Sequence, residues 1–202
     1  MELGSRRFYD YIRAFGFGSP TGVDFPGETG GQIRPINTLR QIDLANIGFG
    51  QGLGVTPLQL LTAVSAVAND GKLVRPYLVK EIRGQDGRLI KENRPVEIRQ
   101  VLSLRTAREM RRVLRSVVVN GSGKRADIEG YRVAGKTGTA QVPEAGRYSD
   151  SKVVASFAGF APAEDPVLAG LVALYEPASP ETFGGVIAAP VFRTVMADAL
   201  NY

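Results

Sequence analysis

The sequence predicts an α+β protein in which an antiparallel sheet is flanked by helices. Apolar residues at helical spacing dominate residues 1–72. Three consecutive segments with the composition of strands follow at 133–142, 152–161 and 167–175, and turn signals separate them. Short consecutive strands usually pair antiparallel. The α+β class is indicated by this order of elements, in which helices come first, the antiparallel sheet follows and a helix closes the chain.

The first part of the chain is predicted to be mainly helical. Apolar spacing predicts a helix over 5–15, and a loop rich in Gly and Pro follows at 19–35. A short helix is expected over 38–47. The strongest signal is at 56–68, where Thr56 is a typical N-cap and a proline occupies the first turn.

A hairpin, an amphipathic helix and a closing helix are predicted in the remainder. The hairpin is expected to join 77–82 to 88–91. The amphipathic helix covers 103–118, and its five arginines are expected to be solvated. The closing helix is expected over 188–200, with Pro190 near its start, and should pack on one face of the three-stranded sheet.

Composition excludes several kinds of chemistry. The 202 residues include no His and no Cys. Disulfides, thiolate nucleophiles, histidine bases and Cys-ligated metal sites are therefore excluded, and we expect neither a metal nor a cofactor. Any nucleophile must be Ser, Thr, Lys, Tyr or a carboxylate. The net charge of +5 without an aromatic-studded basic stripe indicates an ordinary mixed-charge surface and no nucleic-acid partner.

The most informative segment contains Lys136, Thr137, Gly138 and Thr139. Glycine weakens a strand unless something must approach the backbone closely. An edge strand with a cation, two hydroxyls and bare N–H groups can bind a carboxylate or an extended peptide, and one N–H can contribute to an oxyanion hole. The alternative is an ordinary edge strand with a solvated lysine.

Five blocks of the sequence together carry a family resemblance. They are residues 15–28, 50–59, 68–71, 133–141 and 157–162. In this order they resemble the transpeptidase domain of class B penicillin-binding proteins, the serine acyl-transferases that cross-link peptidoglycan. The resemblance implies the C-terminal portion of one transpeptidase domain with a partial penicillin-binding-protein/β-lactamase-like fold. This portion would consist of a mainly helical part, 1–72, followed by the hairpin, helix, sheet and closing helix in 73–202.

The resemblance also implies roles for single residues. Lys136 would be catalytic and organise the hydrogen bonds of the active site. Thr137 and Thr139 would bind the carboxylate of a β-lactam or the carbonyl of the donor peptide, and Gly138 would keep the strand open. The Thr139 N–H would join the oxyanion hole. The implied partners are peptidoglycan stem peptides, penicillins and other β-lactams, the N-terminal part of the same protein and other cell-wall synthesis proteins.

The match to the family is incomplete. The family has the motifs S-x-x-K, S-x-N and K-T-G in this order. Only K-T-G is found at the expected position in this sequence. Ser149 and Lys152 have the S-x-x-K spacing, but they follow K-T-G and are predicted to lie in a polar turn. Ser122 begins a Ser-Gly-Lys string that has Lys where the family has Asn. We therefore expect this chain alone to be inactive and to form no stable acyl-enzyme with a penicillin.

Several further expectations follow from the same resemblance. A non-catalytic β-lactam sensor and a scaffold of a cell-wall complex are the alternative functions. No membrane anchor or signal is recognised in the sequence, and the full-length protein is expected at the extracytoplasmic face of the bacterial cytoplasmic membrane. The edge of the 167–175 strand and the face of helix 56–68 should lack their covering elements. Exposed apolar surface and an open edge would make this chain marginally stable or self-associating.

Overall fold

The computed structural model describes residues 3–144 and 147–202. Within these residues, helices and antiparallel strands occupy separate stretches of the chain, as the predicted α+β class requires, so that prediction is confirmed. The helices are α1 (Ser5–Ala14), α2 (Gln41–Gly48), α3 (Pro57–Ala68), α4 (Leu104–Asn120) and α5 (Gly184–Leu200). The strands are β1 (Lys72–Arg75), β2 (Glu81–Arg83), β3 (Leu89–Glu92), β4 (Val96–Gln100), β5 (Ala134–Glu144), β6 (Arg147–Ala161) and β7 (Leu168–Tyr175).

The predicted three-stranded antiparallel sheet is present, with the strand order β5-β6-β7. Its first two strands are longer than predicted, because pairing continues past a bulge near Gln141 to Glu144 and Arg147. Ser149 therefore lies within β6, and its placement in a polar turn was wrong. In the described part of the chain, neither the outer edge of β5 nor that of β7 pairs with another strand.

One face of the sheet packs against α5. Phe157 of β6 is fully buried, and its ring centroid lies 4.7 Å from that of Phe192 on α5. Gly135, Gly159 and Gly170 lie side by side on β5, β6 and β7. A Cβ atom on Gly135 would be 2.6 Å from the Phe157 ring. Gly135 and Gly159 therefore leave the space that the Phe157 ring fills, and Gly170 leaves space for the Phe192 ring.

The closing helix begins earlier than predicted. It starts at Gly184 instead of residue 188, so Pro190 lies in its second turn. Proline lacks an N–H, so the carbonyl of Val186, four residues before it, has no helical donor. The Arg125 guanidinium donates to this carbonyl at 3.3 Å. This long-range contact compensates for the interior proline, and the local sequence did not indicate it.

The other face of the sheet packs against α3 and α4. Val67 of α3 lies in a buried cluster with Ala134 of β5 and Phe160 of β6. The predicted start of α3 is confirmed, since Thr56 accepts a hydrogen bond from the Gln59 N–H and the Gln59 side chain accepts one from the Thr56 N–H. The buried Gln59 amide also donates to two carbonyls of the loop before α2.

Two small sheets complete the structure. The predicted hairpin is present as β2 and β3, but β2 begins at Glu81, four residues later than expected. The backbone N–H groups of Leu78 and Val79 instead donate to the carboxylate of Asp24. These hydrogen bonds, the one from Leu78 first, hold the pKa of Asp24 below its ordinary value. The pairing of β1 with β4 was not predicted at all.

Two arginines of α4 are not solvated as expected. Arg111 is buried, donates to the Ala68 carbonyl at 3.0 Å and pairs with Asp70 at 2.9 Å. Arg115 forms two hydrogen bonds with Asp127 and one, at 2.9 Å, with the carbonyl of Val133. Both arginines join separate segments, so the expectation that all five are solvated was wrong. In residues 3–144 and 147–202, no helix has the length and apolar character needed to cross a membrane.

Candidate functional site

The four candidate residues lie together on β5, at the edge of the main sheet. Strand β6 pairs with one side of β5, and in residues 3–144 and 147–202 no strand pairs with the other side. In an antiparallel strand, every second residue directs its N–H and C=O away from its partner. This edge therefore presents backbone donors and acceptors. Lys136 and Gly138 lie on the face opposite α5, whereas Thr137 and Thr139 lie on the α5 face.

Lys136 is exposed, and its ammonium donates to the Thr137 carbonyl at 2.9 Å. In the part of the chain that the structure describes, it forms no ion pair with a carboxylate. Its charge therefore remains available to a ligand at the open edge. An ammonium in this position attracts an anion and can stabilise negative charge that develops in a reaction.

Packing within the sheet requires a glycine at position 138, in addition to the expected need to keep the strand open to a ligand. Its partner across the sheet is Ser156, and a Cβ atom on Gly138 would lie 2.5 Å from the Ser156 hydroxyl oxygen. A side chain at this position would therefore displace Ser156 or distort the strand. The absence of a side chain also leaves the backbone of β5 open to a ligand.

The two threonine hydroxyls connect β5 to other segments. The Oγ1 atom of Thr137 lies 2.7 Å from the Oγ atom of Ser122, in the loop after α4. The Oγ1 atom of Thr139 accepts a hydrogen bond at 3.1 Å from the N–H of Gly184, the first residue of α5. Cβ atoms on Gly184 and Gly185 would collide with the Gly138 and Ser122 carbonyls respectively. The close packing of three segments thus fixes both hydroxyls.

Ser122 was predicted to be part of a glycine-rich loop, and no functional role was predicted for it. The available signal was a hydroxyl between two glycines, shortly before the strand that carries Lys136. The hydrogen bond itself joins residues 15 positions apart and depends on how α4 and β5 pack. It could therefore not be read from the local sequence.

A cavity of about 370 Å³ lies beside the threonines. Its walls come from the loop after α4, from β5 and from the start of α5. Phe183, with 63% of its surface exposed, stands at its opening. The lining residues are Ser122, Lys124, Arg125, Thr137, Thr139, Phe183, Gly184, Gly185 and Val186.

Among the side chains that the structure describes, none forms a hydrogen bond with the Ser149 hydroxyl that could activate it as a nucleophile. Ser149 lies where the pairing of β5 and β6 is irregular, because the register advances five residues on β6, from Tyr148 to Val153, but only two on β5, from Pro143 to Gln141. Its Oγ atom accepts a hydrogen bond from the Lys152 backbone N–H at 3.1 Å. The ammonium of Lys152 pairs with Glu144 at 2.8 Å, and this hydrogen bond raises the pKa of Lys152. A lysine that this ion pair holds protonated does not serve as a base for Ser149.

Comparison with known proteins gives a consistent match over nearly the whole chain. Residues 1–197 match the family model described as the penicillin binding protein transpeptidase domain. The chain is 43% identical over 200 residues to stage V sporulation protein D of Bacillus subtilis, covering 98% of this chain and 31% of the relative. It is 37% identical over 202 residues to the probable peptidoglycan D,D-transpeptidase PenA of Neisseria gonorrhoeae, covering 99% and 33%. The chain thus spans about a third of the length of these curated relatives.

The solved structures agree with the sequence comparison. The apo form of penicillin-binding protein 3 from Mycobacterium tuberculosis matches with a TM-score of 0.89 and 37% identity, covering 98% of this chain and 47% of that one. The complex of the same protein with ampicillin matches with a TM-score of 0.88 and 38% identity, at 98% and 46% coverage. A further structure of that protein contains aztreonam.

Proposed function

The chain belongs to the transpeptidase family of class B penicillin-binding proteins, and on this basis we propose that it is part of a serine-type D,D-transpeptidase that cross-links peptidoglycan stem peptides. The observation that carries the proposal is the unpaired edge of β5 with its ammonium and two hydroxyls. An extended peptide can bind such an edge as an additional strand. The same edge accommodates a β-lactam, the ligand class present in two structures of one structural relative.

The chemistry assigned to these residues is acyl transfer. Thr137 and Thr139 bind the carboxylate of a β-lactam or the carbonyl of the donor peptide through their hydroxyls. The Thr139 N–H donates to the carbonyl oxygen that becomes negatively charged when the nucleophile attacks. Lys136 supplies a positive charge beside the nucleophile and holds its hydrogen-bond network in place. Gly138 leaves the strand accessible.

The nucleophile belongs, in this proposal, to another part of the protein. Residues 1–202 contain no S-x-x-K motif before Lys136. We assign the acyl-accepting serine, its lysine and the S-x-N motif to sequence that precedes this segment in the longer protein, making the segment the C-terminal portion of one transpeptidase domain. That preceding part would cover the outer edge of β7 and a face of α3. The whole protein would act at the extracytoplasmic face of the cytoplasmic membrane, together with other cell-wall synthesis proteins.

Labelled penicillin tests this proposal. The full-length protein that contains this chain is expected to take up one penicillin per molecule, and peptide mapping should place the ester on a serine outside residues 1–202. The 202-residue chain alone should show no adduct by intact-mass spectrometry, because in residues 3–144 and 147–202 no serine hydroxyl forms a hydrogen bond with a lysine or carboxylate side chain. An adduct on Ser149 would contradict the proposal.

An assay of cross-linking with stem-peptide substrates distinguishes the transpeptidase from the alternative functions. A transpeptidase is expected to convert them to cross-linked product. Acylation of the full-length protein without any cross-linking would instead favour a β-lactam sensor. A full-length protein that neither reacts with penicillin nor joins peptides would favour a scaffold.

A further inference from the structure

The cavity beside Thr137 and Thr139 is lined by cations and hydrogen-bond donors, and no carboxylate from residues 3–144 and 147–202 lines it. Lys124 and Arg125 contribute two positive charges, and the hydroxyl groups come from the loop after α4 and from β5. The remaining lining residues are apolar or glycine. Because nothing in the lining neutralises these charges, the cavity favours an anionic group.

The three hydroxyl groups beside the cavity keep O–H donors that can form hydrogen bonds with a ligand. Thr139 accepts from the Gly184 N–H, so its own O–H hydrogen remains available to donate. In the pair of Ser122 and Thr137, one hydroxyl donates to the other and the second retains its hydrogen. Two O–H donors therefore remain beside one cavity, and a carboxylate has the acceptors to receive both.

The two cations are exposed and available. In the described residues 3–144 and 147–202, neither Lys124 nor Arg125 forms an ion pair with a carboxylate. Arg125 is anchored by its hydrogen bond to the Val186 carbonyl, the group that Pro190 leaves without a helical donor. This contact holds the guanidinium at the cavity wall, while its other N–H groups stay free to bind a ligand.

We infer that Lys124 and Arg125 determine the specificity for an anionic ligand by providing the countercharge to a carboxylate bound in this cavity. The carboxylate is the C-terminal group of a peptide that lies along β5, and the hydroxyls donate to it. This inference deepens the proposed function and rests on it. The new element is the pair of basic residues in the loop after α4, which lies outside the K-T-G strand.

The experiment compares two short peptides in the full-length protein. The probes are acetyl-D-alanyl-D-alanine and its C-terminal amide, and the dissociation constant of each is measured by competition with labelled penicillin. The double variant Lys124→Gln/Arg125→Gln is expected to bind the carboxylate peptide about tenfold more weakly, because a charge-assisted hydrogen bond is roughly twice as strong as a neutral one. Binding of the amide should stay within about twofold, because the amide carries no charge for the cations to attract.

A matched control removes two positive charges elsewhere on the surface. Lys80→Gln/Arg193→Gln changes the net charge equally, and neither residue lines the cavity. It should bind both peptides as the unmodified protein does, and salt should weaken carboxylate binding less in the cavity variant than in the control.

The outcomes separate this inference from the proposed function. If the unmodified protein binds neither peptide and does not react with penicillin, both fail. If it reacts with penicillin and the double variant retains its full preference for the carboxylate peptide, only the inference is overturned. Equal weakening of both peptides would also overturn it, because that result indicates a structural effect of the loop.

Discussion

Replacing Phe157 by alanine is expected to lower the free energy of unfolding of this chain by about 3–5 kcal/mol. The ring is fully buried and packs against Phe192. The glycines on either side of it have no side chains that could move into the vacated space, so the cavity would not collapse. Because a domain of this kind is stable by only about 5–15 kcal/mol, the variant should be partly unfolded at moderate denaturant concentrations. Urea denaturation followed by circular dichroism measures the change.

Phe183→Ala is the matched control for this prediction. The same side chain is removed, but Phe183 is 63% exposed at the cavity opening. Its loss should change the free energy of unfolding by less than about 0.5 kcal/mol. Similar losses for Phe157 and Phe183 would contradict the packing of the sheet against α5 described above.

Replacing Lys136 by alanine is expected to reduce the second-order rate constant for acylation by ampicillin about 10²–10³-fold in the full-length protein. The ammonium is exposed, and its described hydrogen bond is to the adjacent Thr137 carbonyl. Its removal should therefore leave the thermal unfolding midpoint almost unchanged while it removes the positive charge beside the reacting group. Stopped-flow acylation with a fluorescent penicillin as competitor gives the rate constant.

Lys152→Ala serves as the control for Lys136. Lys152 lies on the neighbouring strand, and Glu144 and Glu176 neutralise its charge. Acylation should proceed at the original rate in this variant. If the acylation rate is unchanged in Lys136→Ala, or falls equally in the two variants, then Lys136 is not a catalytic residue.

Elements with local signals could be predicted from the sequence. Helix α3 was predicted with its correct start and end, because its capping threonine, its first-turn proline and the glycine after it are all local features. The order and pairing of the main sheet followed from three strands joined by short connections.

Elements that depend on distant residues could not be predicted in the same way. Strand β1 has four residues, and its partner β4 has five exposed ones, so neither shows the alternation of a half-buried strand. The late start of β2 depends on Asp24, which is more than fifty positions away. Arg111 appeared solvated on a helical projection, yet it reaches the end of α3. In each case a tertiary contact overrides the local pattern.

The residues of the candidate site also fall into those with a local sequence signal and those that depend on distant contacts. Lys136 and its neighbours could be singled out because cation, hydroxyl and glycine follow one another on one strand. The hydroxyl of Ser122, the start of α5 and the cations of the cavity reach the same place only through packing. The roles of the four strand residues remain predictions until a ligand is placed beside them.

A crystal structure of the full-length protein with ampicillin would show whether β5 is the ligand-binding strand. The ligand is expected to lie along the open edge of β5, with the Thr139 N–H donating to its carbonyl oxygen. The carboxylate of the ligand should lie beside the Thr137 and Thr139 hydroxyls, and the ester should join it to a serine outside residues 1–202. A ligand bound elsewhere while this edge stays empty, or an ester on Ser149, would show that β5 does not bind the substrate.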